Sequence, residues 1–280
     1  MIIGLKNLKG ENIEWEKLNP RKWRDFGVSP ATLIYLASQG DRRKDVKGIS
    51  ASQWGKGMRQ LYLERTTKVF SKPTDSIAAM MGTAKHAHVL TDGYNDEETG
   101  VTTEQRFFDK SGRISAQIDQ LVWQSKNIVE LVDFKSGKKY SRDKFIGEPN
   151  GHGYTMQLNL GADLVRLAHP DVQIPNLWIE WAAADSRRGE SPIDMIPVPL
   201  MERGSALRMF TEVLAELDGM MDMGDVPDLC DEEQRWQRYD RKTGKKEAVR
   251  CNDYCPYNLE CIKLSRSIGE KTWEDLDEQG

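Results

Sequence analysis

Three charged residues stand inside two runs that are otherwise rich in apolar residues. Asp119 lies in the run 112–123, and Asp133 and Lys135 lie near the end of the run 128–138. Side chains alternate between faces along a strand, so Asp133 and Lys135 point the same way. Buried charges without partners cost free energy, and a divalent metal ion would satisfy the two carboxylates. Carboxylates with few other protein ligands suit magnesium or manganese.

The lysine extends this chemistry. An ammonium beside a metal-bound pair of carboxylates can position or deprotonate an attacking water molecule, or stabilise a charged transition state. The polar gap 124–127 separates the two apolar runs, which predicts a hairpin of two strands. The next run, 154–167, has leucines at 160, 164 and 167, and this spacing predicts a helix. The sequence therefore places the charged residues on a strand pair that a helix follows.

These residues carry a resemblance to a known family. The motifs are GRISAQID (112–119), VDFKSGK (132–138), the following Gln157 and, upstream, MGTAKHAHV (81–89). They resemble the nuclease core of the PD-(D/E)XK superfamily, in its RecB-like branch. The resemblance implies that His86, Asp119 and Asp133 ligate the metal and that Lys135 acts on the water. It also implies that Gln157 belongs to the Q-x-x-x-Y motif of that branch.

The chain departs from the family pattern at one position. Gly161 stands where the motif has tyrosine, so the contact of that helix face with DNA is in question. Tyr154, about one turn before Gln157, is a candidate substitute and a candidate DNA contact.

Simpler interpretations stand beside these assignments. Asp133 and Lys135 also fit a surface ion pair at a strand end, and a single histidine such as His86 is more often a satisfied helix residue. Glu104, before the strand pair, could add an acidic contact but is more typical of a solvated loop. The four motifs in family order favour the nuclease interpretation over a catalytically silent version of the same fold.

Length and composition bound the class of protein. The chain has 280 residues, 38% hydrophobic and 30% charged, with a net charge of −4, which indicates a globular protein with one large domain and an additional segment. No apolar run has the length of a membrane span, and the N-terminus lacks a signal-peptide pattern. We therefore expect a cytoplasmic protein without membrane contact, in the host cytoplasm if it is phage-encoded. The net charge weighs against bulk electrostatic attraction as the means of holding DNA.

The order of predicted elements indicates the fold class. Helices are expected at 49–65, starting from serine caps, at 77–90 carrying His86, and at 201–221. Strands are expected at 101–108, 177–181 and 193–200, beside the central hairpin. We predict an α/β fold, a mixed central sheet flanked by helices, which agrees with the restriction-endonuclease-like core that the resemblance implies. The expected division is an N-terminal accessory segment (1–48), a nuclease core (49–226) and a cysteine-cluster segment (227–280).

A basic stretch with aromatic residues follows Lys135. By itself such a stretch is more often a solvated loop, but its position directly after the catalytic strand favours contact with a nucleic-acid backbone and bases. The candidate DNA-binding residues there are Lys138, Lys139, Tyr140 and Arg142.

All four cysteines lie in the last fifth of the chain, at Cys230, Cys251, Cys255 and Cys261. In an intracellular protein such clustering favours metal ligation over disulfides. Four thiolates fit a [4Fe–4S] cluster or a tetrahedral zinc ion, and unligated thiols are the third possibility. The trio C-x-x-x-C-P-Y-x-x-x-C resembles the one that closes iron–sulfur nucleases of the RecB-like branch, including the CRISPR-adaptation exonuclease family and phage relatives. In that family the first cysteine often precedes the nuclease motifs, whereas Cys230 follows them.

A metal bound there would tie down a polar segment with little apolar surface, so that metal binding and local folding would be coupled. The residues between Cys230 and Cys251 mix basic and aromatic side chains. They fit a path for a single strand or a flexible charged hairpin around Gly244 equally well.

Together these expectations describe a metal-dependent deoxyribonuclease. The resemblance implies magnesium or manganese and an exonuclease acting on single-stranded DNA or DNA ends, in phage, mobile-element or bacterial recombination, replication or repair. The rival from another class is a catalytically silent module of the same fold that binds nucleic acid or protein.

Overall fold

The structure is a computed structural model, and it describes residues 2–26, 32, 36, 48–71, 95–96, 100–149, 153–183, 185, 193–240 and 245–277. His86 and the helix expected at 77–90 lie outside the described residues. The described strands, in chain order, are β1 (Ile2–Lys6), β2 (Asn12–Glu14), β3 (Ile49–Ser50), β4 (Val69–Ser71), β5 (Asn95–Asp96), β6 (Val101–Phe108), β7 (Ile114–Ser125), β8 (Ile128–Gly137), β9 (Leu177–Ala183), β10 (Ile193–Val198), β11 (Gln237–Asp240) and β12 (Lys245–Ala248).

The described α-helices are α1 (Met58–Thr66), α2 (Lys139–Gly147), α3 (Gly153–Ala168), α4 (Ser205–Met223), α5 (Asn258–Ser267) and α6 (Trp273–Asp277). Short 3₁₀ turns cover Trp15–Lys17, Pro20–Phe26 and Ala51–Gln53, and Arg250–Tyr254 forms one π-helical turn. No helix among the described residues is long and apolar enough to cross a membrane.

The chain divides into two compact units. One contains residues 48–54 and 81–215, and the other contains 1–47, 55–80 and 216–280. The three expected segments do not follow this division, because residues 55–80 group with both ends of the chain. Leu63 on α1 packs in one apolar cluster with Tyr257, Ile262 and Trp273, and this contact accounts for the grouping.

The first unit is built on a seven-stranded mixed sheet. Its order is β10-β9-β8-β7-β6-β5, and β3 pairs with β7 outside that path. β8 and β9 run parallel, as do β3 and β7, whereas the other pairs are antiparallel. With helices against it, this sheet has the α/β architecture of a restriction-endonuclease-like core, as expected from the sequence.

Helix α3 packs against the centre of this sheet. Its Leu158, Ala162 and Val165 lie in one core cluster with Ile118 on β7 and Leu131 on β8. Gly161 faces the same strands, and a Cβ there would lie 3.1 Å from Ile118 Cδ1 and 3.6 Å from Leu131 Cδ2. The missing side chain lets the helix approach the sheet closely.

Two expected elements are corrected. The helix expected at 49–65 begins only at Met58, because residues 49–53 form β3 and a 3₁₀ turn and Gly55 has φ +77°. That backbone conformation suits glycine and ends the turn before a helix can continue. The stretch after Lys135, for which a solvated loop was the alternative to a nucleic-acid contact, forms helix α2, whose Phe145 is fully buried.

The second unit contains two smaller sheets. β1 pairs with β2 and β4, and β11 pairs with β12 as an antiparallel hairpin between Cys230 and Cys251. The hairpin agrees with one of the two interpretations of the basic stretch. The side chains of 237–246 are not described, so the pairing of β11 with β12 establishes only the backbone register of this hairpin.

Candidate functional site

The strand register brings Asp119 and Asp133 to the same place in the sheet. Gln120 on β7 pairs with Val132 on β8, so the next position along the antiparallel pair brings Asp119 beside Asp133. Both side chains are buried, at 6% and 3% exposure. Asp119 Oδ2 accepts a hydrogen bond from the Phe134 backbone N–H at 2.7 Å. Two buried carboxylates on neighbouring strands thus lie in fixed positions.

Lys135 lies on the same face as Asp133, and its ammonium forms an ion pair with Asp133 Oδ2. Burial by itself would lower the pKa of Lys135, but the Asp133 and Asp119 carboxylates outweigh it, and the net pKa is raised. The lysine is therefore a cation at neutral pH. Gln157 on α3 donates from Nε2 to Asp133 Oδ1 at 3.3 Å, so both oxygens of this carboxylate have partners.

Aromatic side chains enclose the lysine. The Lys135 ammonium lies 5.1 Å from the centroid of the Tyr154 ring. Tyr154 in turn contacts Phe145 and Trp181, with centroids 5.8 and 6.1 Å away. Burial raises the pKa of Tyr154, with the Lys135 charge acting in the opposite direction. Trp181, which pairs with Lys135 across β8 and β9, was not among the residues predicted from the sequence. The alternation of apolar residues along Leu177–Ala183 is the sequence signal that could have pointed to it.

The local sequence around Glu104 suggested a solvated loop, and the structure corrects this expectation. It lies inside β6 with φ +53°, a region that residues other than glycine rarely adopt. The register pairs Thr103 with Gln120 and Gln105 with Ile118, which leaves Glu104 and Asp119 as the intervening positions. The carboxylate accepts a hydrogen bond from Gln117 Nε2.

The four residues expected to contact DNA after Lys135 lie in or beside the first turn of α2. Tyr140 is 76% exposed and Lys138 is exposed. The Lys139 backbone N–H donates to Asp185 Oδ1 at 2.7 Å. Arg142 pairs with Asp143 at 2.8 Å and also with Asp194, so its charge is already balanced. Lys138 and Tyr140 are the exposed members of this set, and Lys139 is partly exposed.

The donor chemistry at Asp119 and Asp133 fits a hard divalent cation, because two buried carboxylates supply oxygen ligands beside a lysine. Among the described residues, no three His, Cys, Asp or Glu side chains gather in a metal-holding arrangement. The two carboxylates are thus an incomplete set, and His86, the third ligand that the resemblance implies, lies outside the described residues.

The cysteines belong to the other unit. All four are free thiols. Cys251, Cys255 and Cys261 pack on the apolar cluster of α1, α5 and α6. Burial raises the pKa of every one, and burial together with the neighbouring thiols raises that of Cys251 to about 12 and that of Cys261 to about 11. The four sulfurs therefore share one neighbourhood without forming a closed metal site.

The surroundings of the thiols fit a negatively charged metal centre. Arg235 opposes the pKa rise of Cys251, and Arg59 opposes that of Cys261. Arg235 is buried, and its Nε and Nη1 atoms have no hydrogen-bond partner among the described residues. Gly57 leaves room for Cys230, since a Cβ there would lie 2.3 Å from the Cys230 Sγ. This environment, with four thiols beside buried guanidinium charge and with space at Gly57 for the Cys230 sulfur, suits thiolate ligation of an iron–sulfur cluster or of zinc.

Comparison with solved structures shows a likeness of fold. The crystal structure of SSO0001 matches with a TM-score of 0.50 and 13% identity, over 83% of this chain and 94% of that chain. An alkaline exonuclease, LHK-Exo from Laribacter hongkongensis, matches with a TM-score of 0.44 and 15% identity, over 64% of this chain and 91% of that chain. The same exonuclease in complex with dAMP matches with a TM-score of 0.40 and 16% identity, over the same shares.

No protein-family model matches the chain, and no curated protein matches it by sequence. The similarity to SSO0001 therefore supports a shared fold, whereas TM-scores of 0.44 and 0.40 are too low to carry a function from one protein to the other. Any functional conclusion depends on the residues of this chain.

Proposed function

We propose that this protein is a metal-dependent nuclease of the PD-(D/E)XK type, which hydrolyses phosphodiester bonds in DNA. The observation that carries the proposal is the group formed by the buried Asp119 and Asp133 and the partly buried Lys135 on two adjacent strands of a restriction-endonuclease-like sheet. Burying two carboxylates side by side costs folding free energy. Protein stability alone gives no reason to retain such a group.

Each residue has a distinct role in the proposed reaction. Asp119 and Asp133, with His86, would hold magnesium or manganese, and the bound ion would supply Lewis-acid activation of water and of the phosphodiester. The Lys135 ammonium, beside these carboxylates, would stabilise negative charge that develops on the phosphate oxygens. Gln157 holds the Asp133 carboxylate in place. Lys138 and Tyr140 are accessible for contact with the nucleic-acid backbone and bases.

The finer activity follows from the resemblance of the motifs. An exonuclease acting on single-stranded DNA or on DNA ends, in phage, mobile-element or bacterial recombination, replication or repair, fits the RecB-like motifs. An iron–sulfur cluster held by the four cysteines, with zinc as the alternative, fits the thiol neighbourhood and would stabilise the unit that contains both ends of the chain.

The test is cleavage of end-labelled single- and double-stranded DNA by anaerobically purified protein. Cleavage should require magnesium or manganese and stop in EDTA. Asp119→Ala and Lys135→Ala should each abolish it while the circular dichroism spectrum and melting temperature show a folded protein. Full activity in either variant would contradict the assignment of the site.

One observation favours the silent module of the same fold. The Lys135 ammonium is paired directly with Asp133 Oδ2, an oxygen that a metal ion would use. If this pair persists with metal present, the protein binds DNA without cutting it. Metal-independent binding together with no cleavage under either ion would support that alternative.

A further inference from the structure

The Arg235 side chain is buried while two of its donors have no acceptor. It is 5% exposed, and its Nε and Nη1 atoms have no hydrogen-bond partner among the described residues. A buried guanidinium that lacks an anion and hydrogen bonds costs folding free energy. Such a group in a folded protein indicates an acceptor that forms nearby in another state of the molecule.

Two other arginines of the same unit have their donors engaged. Arg59, which is 1% exposed, donates to three groups, the Pro227 carbonyl, Ser265 Oγ at 3.3 Å and Glu270 Oε2 at 2.7 Å. Arg250 Nη1 donates to two backbone carbonyls at 2.6 and 3.2 Å. In the part of the chain that the structure describes, Arg235 is therefore the member of this trio whose buried donors await an acceptor.

The backbone places Arg235 beside Cys251. The Arg235 carbonyl accepts a hydrogen bond from the Arg250 N–H at 3.0 Å, and Cys251 is the next residue along the chain. The charge of Arg235 also acts on this thiol, because it opposes the rise in the pKa of Cys251 that burial and the other thiols cause. The Cys251 sulfur is therefore the acceptor to which the position of Arg235 points.

Two other thiols already have donors of their own. The Gln60 backbone N–H, in the first turn of α1, donates to Cys230 and lowers the pKa of that thiol against the effect of burial. The backbone N–H two residues after Cys255 lowers the pKa of Cys255 in the same way. Hydrogen bonds to sulfur favour the thiolate. Arg235 takes for Cys251 the part that backbone N–H groups take for these two thiols.

We propose that Arg235 positions Cys251 as a metal ligand, by donating hydrogen bonds to its sulfur when the cysteines hold an iron–sulfur cluster or zinc. A metal-bound cysteine is a thiolate, and a thiolate supplies the negative charge that a buried guanidinium requires. The proposal rests on the metal centre of the proposed function and assigns to that centre a residue besides the four cysteines. Arg235 acts on the metal through Cys251.

The first measurement is the retention of metal by full-length protein. Wild type, Arg235→Met and Arg235→Lys are purified anaerobically, their iron, sulfide and zinc contents are determined, and the loss of metal to EDTA is followed with time. Arg235→Met should lose its metal about 10-fold to 100-fold faster, since groups that support a metal ligand contribute this much to metal affinity. Arg266→Met, which removes an arginine with a 67% exposed side chain from the same unit, is the matched control and should behave as the wild type.

The two substitutions at Arg235 separate charge from packing. Methionine preserves much of the apolar stem and removes the charge, whereas lysine preserves the charge, so Arg235→Lys should retain the metal better than Arg235→Met. Equal or reversed retention in these variants would show that the charge of Arg235 does not support the metal ligand, and would overturn the proposal.

Melting of the metal-free proteins tests for a purely structural role. Arg235→Met should melt at the wild-type temperature or above it, because an apolar side chain replaces a buried charge that lacks partners. Arg59→Met should melt at a lower temperature, because it removes the three bonds of that guanidinium. A decrease for Arg235→Met as large as that for Arg59→Met would mean that Arg235 only supports the fold, which would contradict the proposal.

The outcomes separate this proposal from the proposed function. If the wild type holds iron or zinc and Arg235→Met holds it equally well, only the role of Arg235 fails. If the wild type holds neither metal, even after anaerobic reconstitution with iron and sulfide or with zinc, the metal centre and this proposal both fail. The nuclease is then still decided by DNA cleavage in the wild type and in Asp119→Ala. Should Arg235→Met not fold, judged by its circular dichroism spectrum, Arg235→Gln provides the same comparison with Arg235→Lys.

Discussion

Gln157 on α3 donates a hydrogen bond to Asp133 on β8, with Nε2 3.3 Å from Oδ1. The bond joins the helix that packs on the sheet to the carboxylate at the centre of the candidate site. Because the other Asp133 oxygen faces Lys135, Gln157 and Lys135 together define the orientation of this carboxylate.

The first prediction concerns that hydrogen bond. Gln157→Ala should reduce metal-dependent cleavage by about 10-fold to 100-fold, the usual cost of removing a group that orients a metal ligand. The measurement is the cleavage rate of end-labelled DNA across a manganese titration, in which a weakened metal site raises the metal concentration needed. Gln173→Ala, at an exposed position of the same unit, is the control. An unchanged metal dependence in Gln157→Ala would show that Gln157 does not position Asp133.

Gly161 gives a prediction about stability. Gly161→Ala gains about 1 kcal/mol of helix propensity and places a Cβ 3.1 Å from Ile118 Cδ1, the end of a flexible side chain. The two effects oppose each other, so urea unfolding should show a change within about 1 kcal/mol of zero. Gly161→Tyr, the residue of the family motif, should cost more than about 3 kcal/mol because its ring has no space between α3 and the sheet. A Gly161→Tyr variant as stable as the wild type would contradict this packing.

Gly57 tests the cysteine neighbourhood. A Cβ at this position would lie 2.3 Å from Cys230 Sγ and 2.7 Å from Gln234 Oε1, so Gly57→Ala must displace Cys230. We expect the variant to lose most of the iron or zinc that the wild type retains after anaerobic purification, measured by metal analysis and visible absorbance. Gly219→Ala, where a Cβ meets no atom within 4 Å, should keep its metal. Full metal content in Gly57→Ala would exclude Cys230 as a ligand in its present position.

Asp109 gives a prediction about pH. Burial by itself would raise the pKa of this carboxyl, but hydrogen bonds from Ser111, Ile114 and Arg113 at the turn between β6 and β7 lower it. A lowered folded-state pKa stabilises the protein above the unfolded value, near 4, and the stabilisation disappears as the pH falls through the folded pKa.

Asp109→Ala should therefore cost about 1–3 kcal/mol of unfolding free energy at pH 7, and the difference should shrink as the pH drops below about 4. Urea unfolding of both proteins at several pH values provides the measurement. Asp171→Ala, which removes an exposed carboxylate in the same unit, should show no such pH dependence. A constant difference between wild type and Asp109→Ala would mean that the carboxylate charge does not stabilise the turn.

Much of the central sheet follows from local pattern. Alternating β-branched and apolar residues predict the hairpin of β7 and β8, and β6, β9 and β10 are predicted within a few residues. The boundary of α1 was missed because Gly55 acts through its backbone conformation, which hydrophobic periodicity does not report. Helix α2 was missed because its nine residues have one buried position, Phe145, and the helical pattern is correspondingly weak.

The sequence by itself determined the chemistry of the candidate site. Residue type and period-two spacing put Asp133 and Lys135 on one face, and clustering of the cysteines indicated a metal centre. Only the tertiary structure decided what these groups contact: the pairing of β7 with β8 joins residues 14 positions apart, and the packing of α3 brings Gln157 and Tyr154 to the same point. Likewise, Trp236 and Tyr254 meet only because the chain folds back between them. Such contacts depend on strand register and helix packing, which are long-range properties that no local pattern encodes.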